Sequence, residues 1–264
     1  MADLIPNYRG PKLSPFRGNI EDIQFEKLLG PDQEHHSSDH LPHSRVFQVK
    51  IEGRIYALKI FNFFSLDEIR PFHPDAEDLL TDDVVLYELD PFYAECRAFG
   101  LLVEKKKDNT LAVRCHGYVF LPRSVERSIK KKFGIDNWNR HPEDKGQPLR
   151  AIVKDYIRYN SVFGRKTFPA MRSNIDKLNK MGIYNMDIRE ENYRGGRLFD
   201  FSLAITSPHI SLSLRARSKS QVEEDVRCDL KCFDELVEKE VERRKERLKS
   251  AKAEGRVRET RFNS

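Results

Sequence analysis

Cationic, acidic and amide side chains follow one another along this sequence in an order that would suit phosphoryl transfer. That chemistry needs cations that hold phosphate groups, carboxylates or amides that hold Mg²⁺, and an acidic side chain beside the nucleophile. Lys59 lies in the apolar segment YALKIF, where a buried ammonium would need an anionic partner. Glu95, in the next predicted helix, can supply that partner. The alternative is a surface Lys59 that never meets Glu95.

A second group of polar residues has an informative spacing. Asp187 precedes Asn192 by five positions, and Asp200 follows in an Asp-Phe pair. This segment resembles the catalytic loop and the Asp-Phe-Gly motif of protein kinases. The resemblance implies that Asp187 orients the acceptor hydroxyl, while Asn192 and Asp200 hold Mg²⁺. Arg189 would neutralise the transferring phosphate. Each short motif also recurs by chance in charged proteins, so only the joint occurrence of these motifs indicates a kinase-like site.

The resemblance to kinases extends to residues that would contact a nucleotide. A Lys–Glu pair in kinases grips the first two phosphates of ATP, which implies that role for Lys59 and Glu95. The segment IVKDYI resembles the strand that leads into the kinase hinge. Backbone groups of Asp155 and Ile157 would therefore contact adenine. ATP and Mg²⁺ are the cofactors that this resemblance implies.

Several positions depart from the kinase pattern. Only Gly30 is present where a loop with several glycines should approach the phosphates. Asn185 and Met186 replace the His and Arg of the catalytic loop, and Ser202 replaces the Gly of Asp-Phe-Gly. Lys154 occupies the position that gates the adenine pocket, where its charge would have to extend to solvent. These departures favour a second interpretation, a non-catalytic pseudokinase scaffold.

Hydrophobic periodicity predicts the elements that must position these residues. Alternating apolar residues around Glu52-Gly53 predict a hairpin, and apolar residues at helical spacing predict helices over PFYAECRAFGLLVE and TFPAMRSNIDKLNKMGI. The region from Phe61 to Asp90 has loop character. Further strands are predicted in FEKLLG, LAVRCHGYVFL and LRAIVKDYI, and one long helix follows near the C-terminus.

The order of these elements predicts an α+β domain. The resemblance implies a bilobal protein-kinase-like fold with a small antiparallel-sheet N-lobe and an abbreviated helical C-lobe, because only residues 201–264 follow Asp200. The expected units are an extended N-terminal segment (1–20), the N-lobe (21–155) with a polar, helical insert (123–149), the C-lobe (156–241) and a basic tail (242–264).

Composition limits the protein class. Of the 264 residues, 39% are apolar and 34% are charged, which is enough for a domain with a real core. The sequence shows neither an apolar run of membrane-spanning length nor a signal-peptide pattern, so we expect no membrane association and a location in the nucleus or cytoplasm. The net charge of +5 lies in the tail, which would contact nucleic acid or acidic partners, or would simply be solvated.

A narrower resemblance covers most of the chain. The segments GPKLSPF, IYALKIF, DPFYAECRAFG, VRCHGYVFL, MDIREENY and LFDFSLAITSPH resemble a family of filamentous-fungal proteins. That family is named for a kinetochore subunit, the Fta-type component of the Sim complex. It implies a kinase-like fold, a centromere-associated role and kinetochore protein partners. Two functions therefore compete: an atypical Ser/Thr phosphotransferase with a protein substrate, and a scaffold that binds kinetochore proteins.

Histidine, cysteine, aspartate and tryptophan residues outside these motifs allow further predictions. The histidines of the stretch 35–43 would form either a metal site or a mobile loop. Cys228 and Cys232 have no second Cys/His pair, so zinc is not expected there. Asp225 or Asp229 could anchor the catalytic loop from the final helix, although an exposed helical Asp is equally consistent. Trp138 is expected to pack the insert against the N-lobe.

Overall fold

A five-stranded antiparallel sheet forms one side of the molecule. The computed structural model describes residues 10, 12–29, 42–66, 81–158, 164, 166–214 and 216–253. The strands lie in the order β1-β2-β3-β5-β4, and each neighbouring pair is antiparallel. Their bounds are Gln24–Leu29 (β1), Ser44–Ile51 (β2), Arg54–Phe61 (β3), Cys115–Leu121 (β4) and Leu149–Asp155 (β5).

The β2–β3 hairpin confirms the turn predicted at Glu52-Gly53. Ile51 pairs with Arg54, which leaves a two-residue loop. Both loop residues have positive φ values, 47° for Glu52 and 79° for Gly53. A two-residue turn of this kind matches the right-handed twist of the strands. The register that follows places Lys59 of β3 opposite Ile152 of β5, in the middle of the sheet.

The described helices flank and follow the sheet. They are α1 (Asp82–Leu89), α2 (Pro91–Glu104), α3 (Arg123–Phe133), α4 (Phe168–Lys180) and α5 (Lys219–Ala253). Helix α2 begins at Pro91, and the Asp90 side chain caps it by accepting a hydrogen bond from Phe92 N at 2.8 Å. Short two-stranded pairings follow α4: β6 (Ile183–Tyr184) with β9 (Ile205–Thr206), and β7 (Tyr193–Arg194) with β8 (Arg197–Leu198).

The structure corrects the loop predicted between Phe61 and Asp90, because α1 occupies residues 82–89. Val85 and Tyr87 of this helix are buried. The helix lacks a clear apolar stripe, since Val84 and Val85 are adjacent and acidic residues surround them. Tertiary packing therefore decides its conformation, and periodicity alone could not show it.

Two apolar clusters hold these elements together. One lies between the sheet and α3, and it includes Trp138, which is 1% exposed and packs the insert as predicted. The other joins α2, α4 and α5 through a chain of buried aromatic residues. Within it Phe99 of α2 meets Phe201 edge to face at 5.1 Å. Phe201 directly follows Asp200, so this contact ties the Asp-Phe pair to helix α2.

The N-terminal segment packs between α2 and β4, and two glycines permit the close approach. Backbone hydrogen bonds join Phe16 N to Tyr118 O and Tyr118 N to Ser14 O. A Cβ atom at Gly100 would lie 2.6 Å from the carbonyl carbon of Lys12. Gly117 is similarly crowded by the backbone of Phe16, also at 2.6 Å. Larger side chains at these glycines would displace the N-terminal segment.

Helix α5 is the longest described helix, with 35 residues. It carries charged residues along its whole length. Among the helices that the structure describes, none is both long enough and apolar enough for a bilayer span.

Candidate functional site

The loop that contains Asp187 is anchored from helix α5. The buried carboxylate of Asp229 accepts a hydrogen bond from Asn185 N at 2.6 Å and another from Met186 N at 2.8 Å. This confirms the anchoring hypothesis for Asp229, whereas Asp225 pairs with Arg217 at 2.5 Å. Burial raises the pKa of Asp229, and the two N–H groups partly oppose that shift. The anchor fixes the backbone immediately before Asp187.

Polar contacts inside the loop bring Asp187, Arg189 and Asn192 together. The Asn192 amide donates to Asp187 O and to Asp187 Oδ2, each at 2.9 Å. Arg189 Nη2 donates to the same Oδ2 at 2.6 Å. Asn192 is buried, whereas the Arg189 side chain is 61% exposed. The loop therefore holds one partly exposed carboxylate, oriented by a buried amide and paired with an exposed cation.

Lys59 and Glu95 meet in the interior, which excludes the alternative of a surface lysine without this partner. Lys59 Nζ lies 2.6 Å from Glu95 Oε2 and 2.7 Å from Asp200 Oδ1. The Lys59 side chain is 1% exposed and that of Glu95 is fully buried. Strand β3, helix α2 and the Asp-Phe segment each contribute one charged group to this contact.

A second buried lysine joins the same cluster, and this corrects the prediction that Lys154 extends to solvent. Lys154 Nζ lies 2.6 Å from Glu95 Oε1, and it donates to Phe199 O at 2.7 Å. Its side chain is 3% exposed. The ammonium also lies 5.6 Å from the Phe99 ring centroid. Lys154 can stay buried because Glu95 offers one carboxylate oxygen to each of the two lysines.

Lys59, Lys154, Glu95 and Asp200 form what we call the four-charge cluster. Two ammonium groups face two carboxylates, so the cluster is neutral within itself. Asp200 Oδ1 also accepts hydrogen bonds from Ser202 N at 2.9 Å and from Ser202 Oγ at 2.7 Å. The serine that replaces the glycine of Asp-Phe-Gly thus adds a hydroxyl donor to this carboxylate.

The cluster shifts the pKa values of its members. Burial alone would raise the pKa of Asp200, but the Lys59 and Lys154 ammonium groups hold it well below its usual value. Burial alone would lower the pKa of Lys59, but Asp200 and Glu95 raise it. The stability that Asp200 contributes is present above its unfolded pKa of about 3.9, and it is lost as the pH falls through the lower folded-state value. The stability that Lys59 contributes is present below its unfolded pKa of about 10.4. It is lost as the pH rises through the higher pKa of Lys59 in the folded state.

His43 belongs to this site, although sequence reasoning did not place it there. Packing and the Lys59 ammonium lower the pKa of His43, while the carboxylates of Asp200 and Asp187 act in the opposite direction. The side chain is exposed, and His43 directly precedes β2. His43 was predicted only as one of four histidines in the stretch 35–43, and His35, His36 and His40 lie outside the described residues. No spacing rule linked it to Asp187.

The segment predicted to contact adenine continues β5. Asp155 ends this strand, and its carboxylate lies 2.7 Å from His116 Nε2 and 3.4 Å from Arg54 Nη2. Asp155 N donates to Arg114 O at 2.9 Å. Ile157 follows two residues after the strand ends and is partly exposed. The Asp155 side chain is thus held by neighbouring residues.

Few side chains at this site, within the described ranges, could serve as ligands of a metal ion. Asn192 and Asp200 offer amide and carboxylate oxygens, which are the ligands that Mg²⁺ prefers. Lys154, to which the kinase resemblance assigns the gate of the adenine pocket, is buried and ion-paired with Glu95. Across the described ranges, no group of three or more His, Cys, Asp or Glu side chains could hold a metal ion. A metal here would therefore need ligands from elsewhere, such as phosphates.

Comparison with known proteins identifies the family. No protein among the curated sequences matches this chain. A family model described as kinetochore Sim4 complex subunit FTA2 matches residues 2–205. The matched range includes Lys59, Glu95, Lys154, Asp187 and Asp200, and it ends just after the Asp-Phe segment. Because the match covers more than half of the sequence, this chain belongs to the family of the kinetochore Sim4 complex subunit FTA2.

Proposed function

We propose that this chain is a non-catalytic structural subunit of a kinetochore complex, located in the nucleus. Its partners are then kinetochore proteins, and the four-charge cluster stabilises the scaffold that binds them. The family match supports the kinetochore assignment. The single observation that carries the non-catalytic part is the buried contact of Lys154 with Glu95 at 2.6 Å.

The charges of the four-charge cluster balance one another without a ligand. A lysine that grips phosphates needs one anionic partner to position it, and it gains its other partners from the nucleotide. Here Lys59 already has two carboxylate partners, and Glu95 already serves two lysines. The cluster is therefore neutral and hydrogen-bonded without a phosphate. A bound ATP·Mg²⁺ would have to compete with these short, buried contacts.

The same proposal includes a bilobal protein-kinase-like scaffold. Three features support it: a five-stranded antiparallel sheet, a helix α2 that carries Glu95 to Lys59, and a loop anchored by the buried Asp229. Fold and function are separate properties, since one fold commonly serves several functions. A kinase-like shape is thus compatible with a purely structural subunit.

ATP binding tests the non-catalytic proposal. We expect isothermal calorimetry with 1 mM ATP and Mg²⁺ or Mn²⁺ to show no saturable heat, and the melting temperature to stay unchanged. A ligand present at 100 times its Kd would stabilise the fold by about 2.7 kcal/mol, so binding would be visible as a shift of several degrees. Saturable binding that Lys59→Met removes, with folding verified by circular dichroism, would contradict the proposal.

A second candidate function is an ATP-dependent protein phosphotransferase. The observation that favours it is the arrangement of Asp187, which is held by Asn192 and accompanied by Arg189 in the loop anchored by Asp229. If ATP and Mg²⁺ bind, the metal ion supplies charge neutralisation for phosphates. Lys59 and Glu95 would then position the phosphates, Asn192 and Asp200 would hold Mg²⁺, and Asp187 would orient an acceptor hydroxyl. Backbone groups of Asp155 and Ile157 would contact adenine.

The C-terminal part of α5 is proposed as a further contact region for acidic partners or nucleic acid. Its only described contact with the Asp187 loop is an exposed ion pair between Arg243 and Glu190 at 3.2 Å. Exposed ion pairs contribute little to stability. Basic residues after Val241 pair with acidic residues of the same helix, such as Arg244 with Glu240 at 2.6 Å, and a partner would exchange these local pairs for its own contacts.

A further inference from the structure

Helix α3 and the loop after it form a charged groove on the sheet side of the molecule, away from Lys59 and Asp187. The groove has a volume of about 310 Å³. Four cationic and two anionic side chains line it, so its net charge is positive: Arg123, Glu126, Arg127, Lys130, Asp136 and Arg140. We call this surface the α3 groove. It belongs to the polar insert (123–149), which contributes no residue to the four-charge cluster or to the contacts of Asp187 described above.

Arg140 lines the α3 groove, and several contacts hold its side chain in place. Its guanidinium donates to the carbonyl oxygens of Asp144 and Gln147, each at 2.8 Å, and to Glu126 Oε2 at 3.1 Å. It also stacks over the Phe63 ring at 4.3 Å from the centroid. These contacts use three of the five N–H donors of its guanidinium group, so Arg140 has a structural role. Its rigidity holds the loop 134–147 against helix α3.

Arg123 and Arg127 are the cations that remain available. Both are exposed, and neither forms an ion pair or a side-chain hydrogen bond with any other residue in the described ranges. They stand four residues apart on α3, so they lie on the same face about 6 Å apart along the helix axis. Lys130 extends the row, since its contact with Asp136 at 2.9 Å is largely exposed.

From this row of cations we infer that the α3 groove binds an acidic, extended segment of a partner protein. Alternate side chains of an extended peptide lie about 6.6 Å apart on one face, which matches the spacing of Arg123 and Arg127. Guanidinium groups bind carboxylates in a two-pronged geometry that favours this pairing. The partner segment therefore carries Asp or Glu at alternate positions.

The anionic residues of the groove favour a peptide over nucleic acid. Glu126 and Asp136 line the same surface as the arginines. They pair with Arg140 and Lys130, so only Arg123 and Arg127 remain to attract a row of phosphates, whereas a short peptide can place one carboxylate opposite each of these two arginines. The α3 groove is separate from the four-charge cluster, so a peptide could bind there whether or not a nucleotide binds beside Lys59.

Fluorescence anisotropy with the full chain tests the inference. The probe is a labelled twelve-residue peptide of alternating Glu and Ser, and its Gln counterpart is the uncharged reference. We expect the Glu peptide to bind, and Arg123→Glu/Arg127→Glu to weaken binding about ten-fold or more because two attractive contacts become repulsive. Arg123→Gln/Arg127→Gln, which only removes charge, should give a smaller loss in the same direction.

The control is a charge reversal elsewhere, Lys231→Glu/Lys239→Glu on the exposed side of α5. It changes the net charge equally and should alter binding less than two-fold. Equal losses in the two reversal variants would show that only net charge matters and would overturn the inference. Absence of wild-type binding would do the same. Tighter binding of a twelve-nucleotide single-stranded DNA, with the same dependence on Arg123 and Arg127, would overturn the choice of a protein ligand.

Discussion

Replacing Glu95 with Gln is expected to lower the free energy of unfolding by about 3–5 kcal/mol, the cost of breaking a buried ion pair by removing one partner. The side chain is fully buried and contacts both Lys59 and Lys154 at 2.6 Å. Gln keeps the size of the side chain but removes the negative charge, so two buried ammonium groups would share the single charge of Asp200. Urea denaturation at pH 7, followed by circular dichroism, measures the loss.

A compensating substitution makes this prediction specific. Lys154→Met removes one of the two cations, so Glu95→Gln/Lys154→Met should be at least about 1 kcal/mol more stable than Glu95→Gln alone. The matched control is Glu104→Gln at the exposed end of the same helix, where we expect a change within about 0.5 kcal/mol. If the losses from Glu95→Gln and Lys154→Met simply add, the four-charge cluster does not act as a unit.

Replacing Asp229 with Ala should cost about 2–4 kcal/mol, because the backbone N–H groups of Asn185 and Met186 would lose their acceptor. The control is Asp234→Ala on the same helix. Asp234 pairs with Arg172 at 2.7 Å, but both side chains are about half exposed, so its loss should stay below about 1 kcal/mol.

Amide hydrogen exchange shows where the Asp229 effect occurs. In Asp229→Ala, exchange at Asn185 and Met186 should accelerate more than exchange in the core of the sheet. Asp234→Ala should leave both amides protected. Unchanged protection of the two amides in Asp229→Ala would mean that other contacts hold the loop before Asp187.

Much of the architecture could be predicted from the sequence, because local patterns determine it. The hairpin follows from alternating apolar residues around Glu52-Gly53, and α2 follows from its apolar spacing and its Asp90-Pro91 start. The pairing of Lys59 with Glu95 also could be inferred, since a lysine within an apolar strand needs a buried anion. These predictions rest on short-range periodicity or on the high cost of an unpaired buried charge.

The features that the sequence did not show depend on tertiary contacts. A lysine at position 154 was expected to reach solvent, and nothing local indicates that Glu95 can serve two cations. His43 directly precedes β2, and its pKa is lowered by packing and by the Lys59 charge, both of which the tertiary fold brings about. The short helix α1 is stabilised by burial of Val85 and Tyr87 and not by an amphipathic pattern. In each case the deciding partner is far away in the sequence.

Localisation of the chain in living cells tests the central claim most directly. The chain, fused to a fluorescent protein and expressed in place of the native copy, should concentrate at centromeric foci in the nucleus. The variant Asp187→Asn, which keeps the size of that side chain and removes its charge, should concentrate there equally and support normal chromosome segregation. A chain that is absent from the centromere would contradict the kinetochore assignment. Normal localisation of Asp187→Asn with failed segregation would contradict the non-catalytic role.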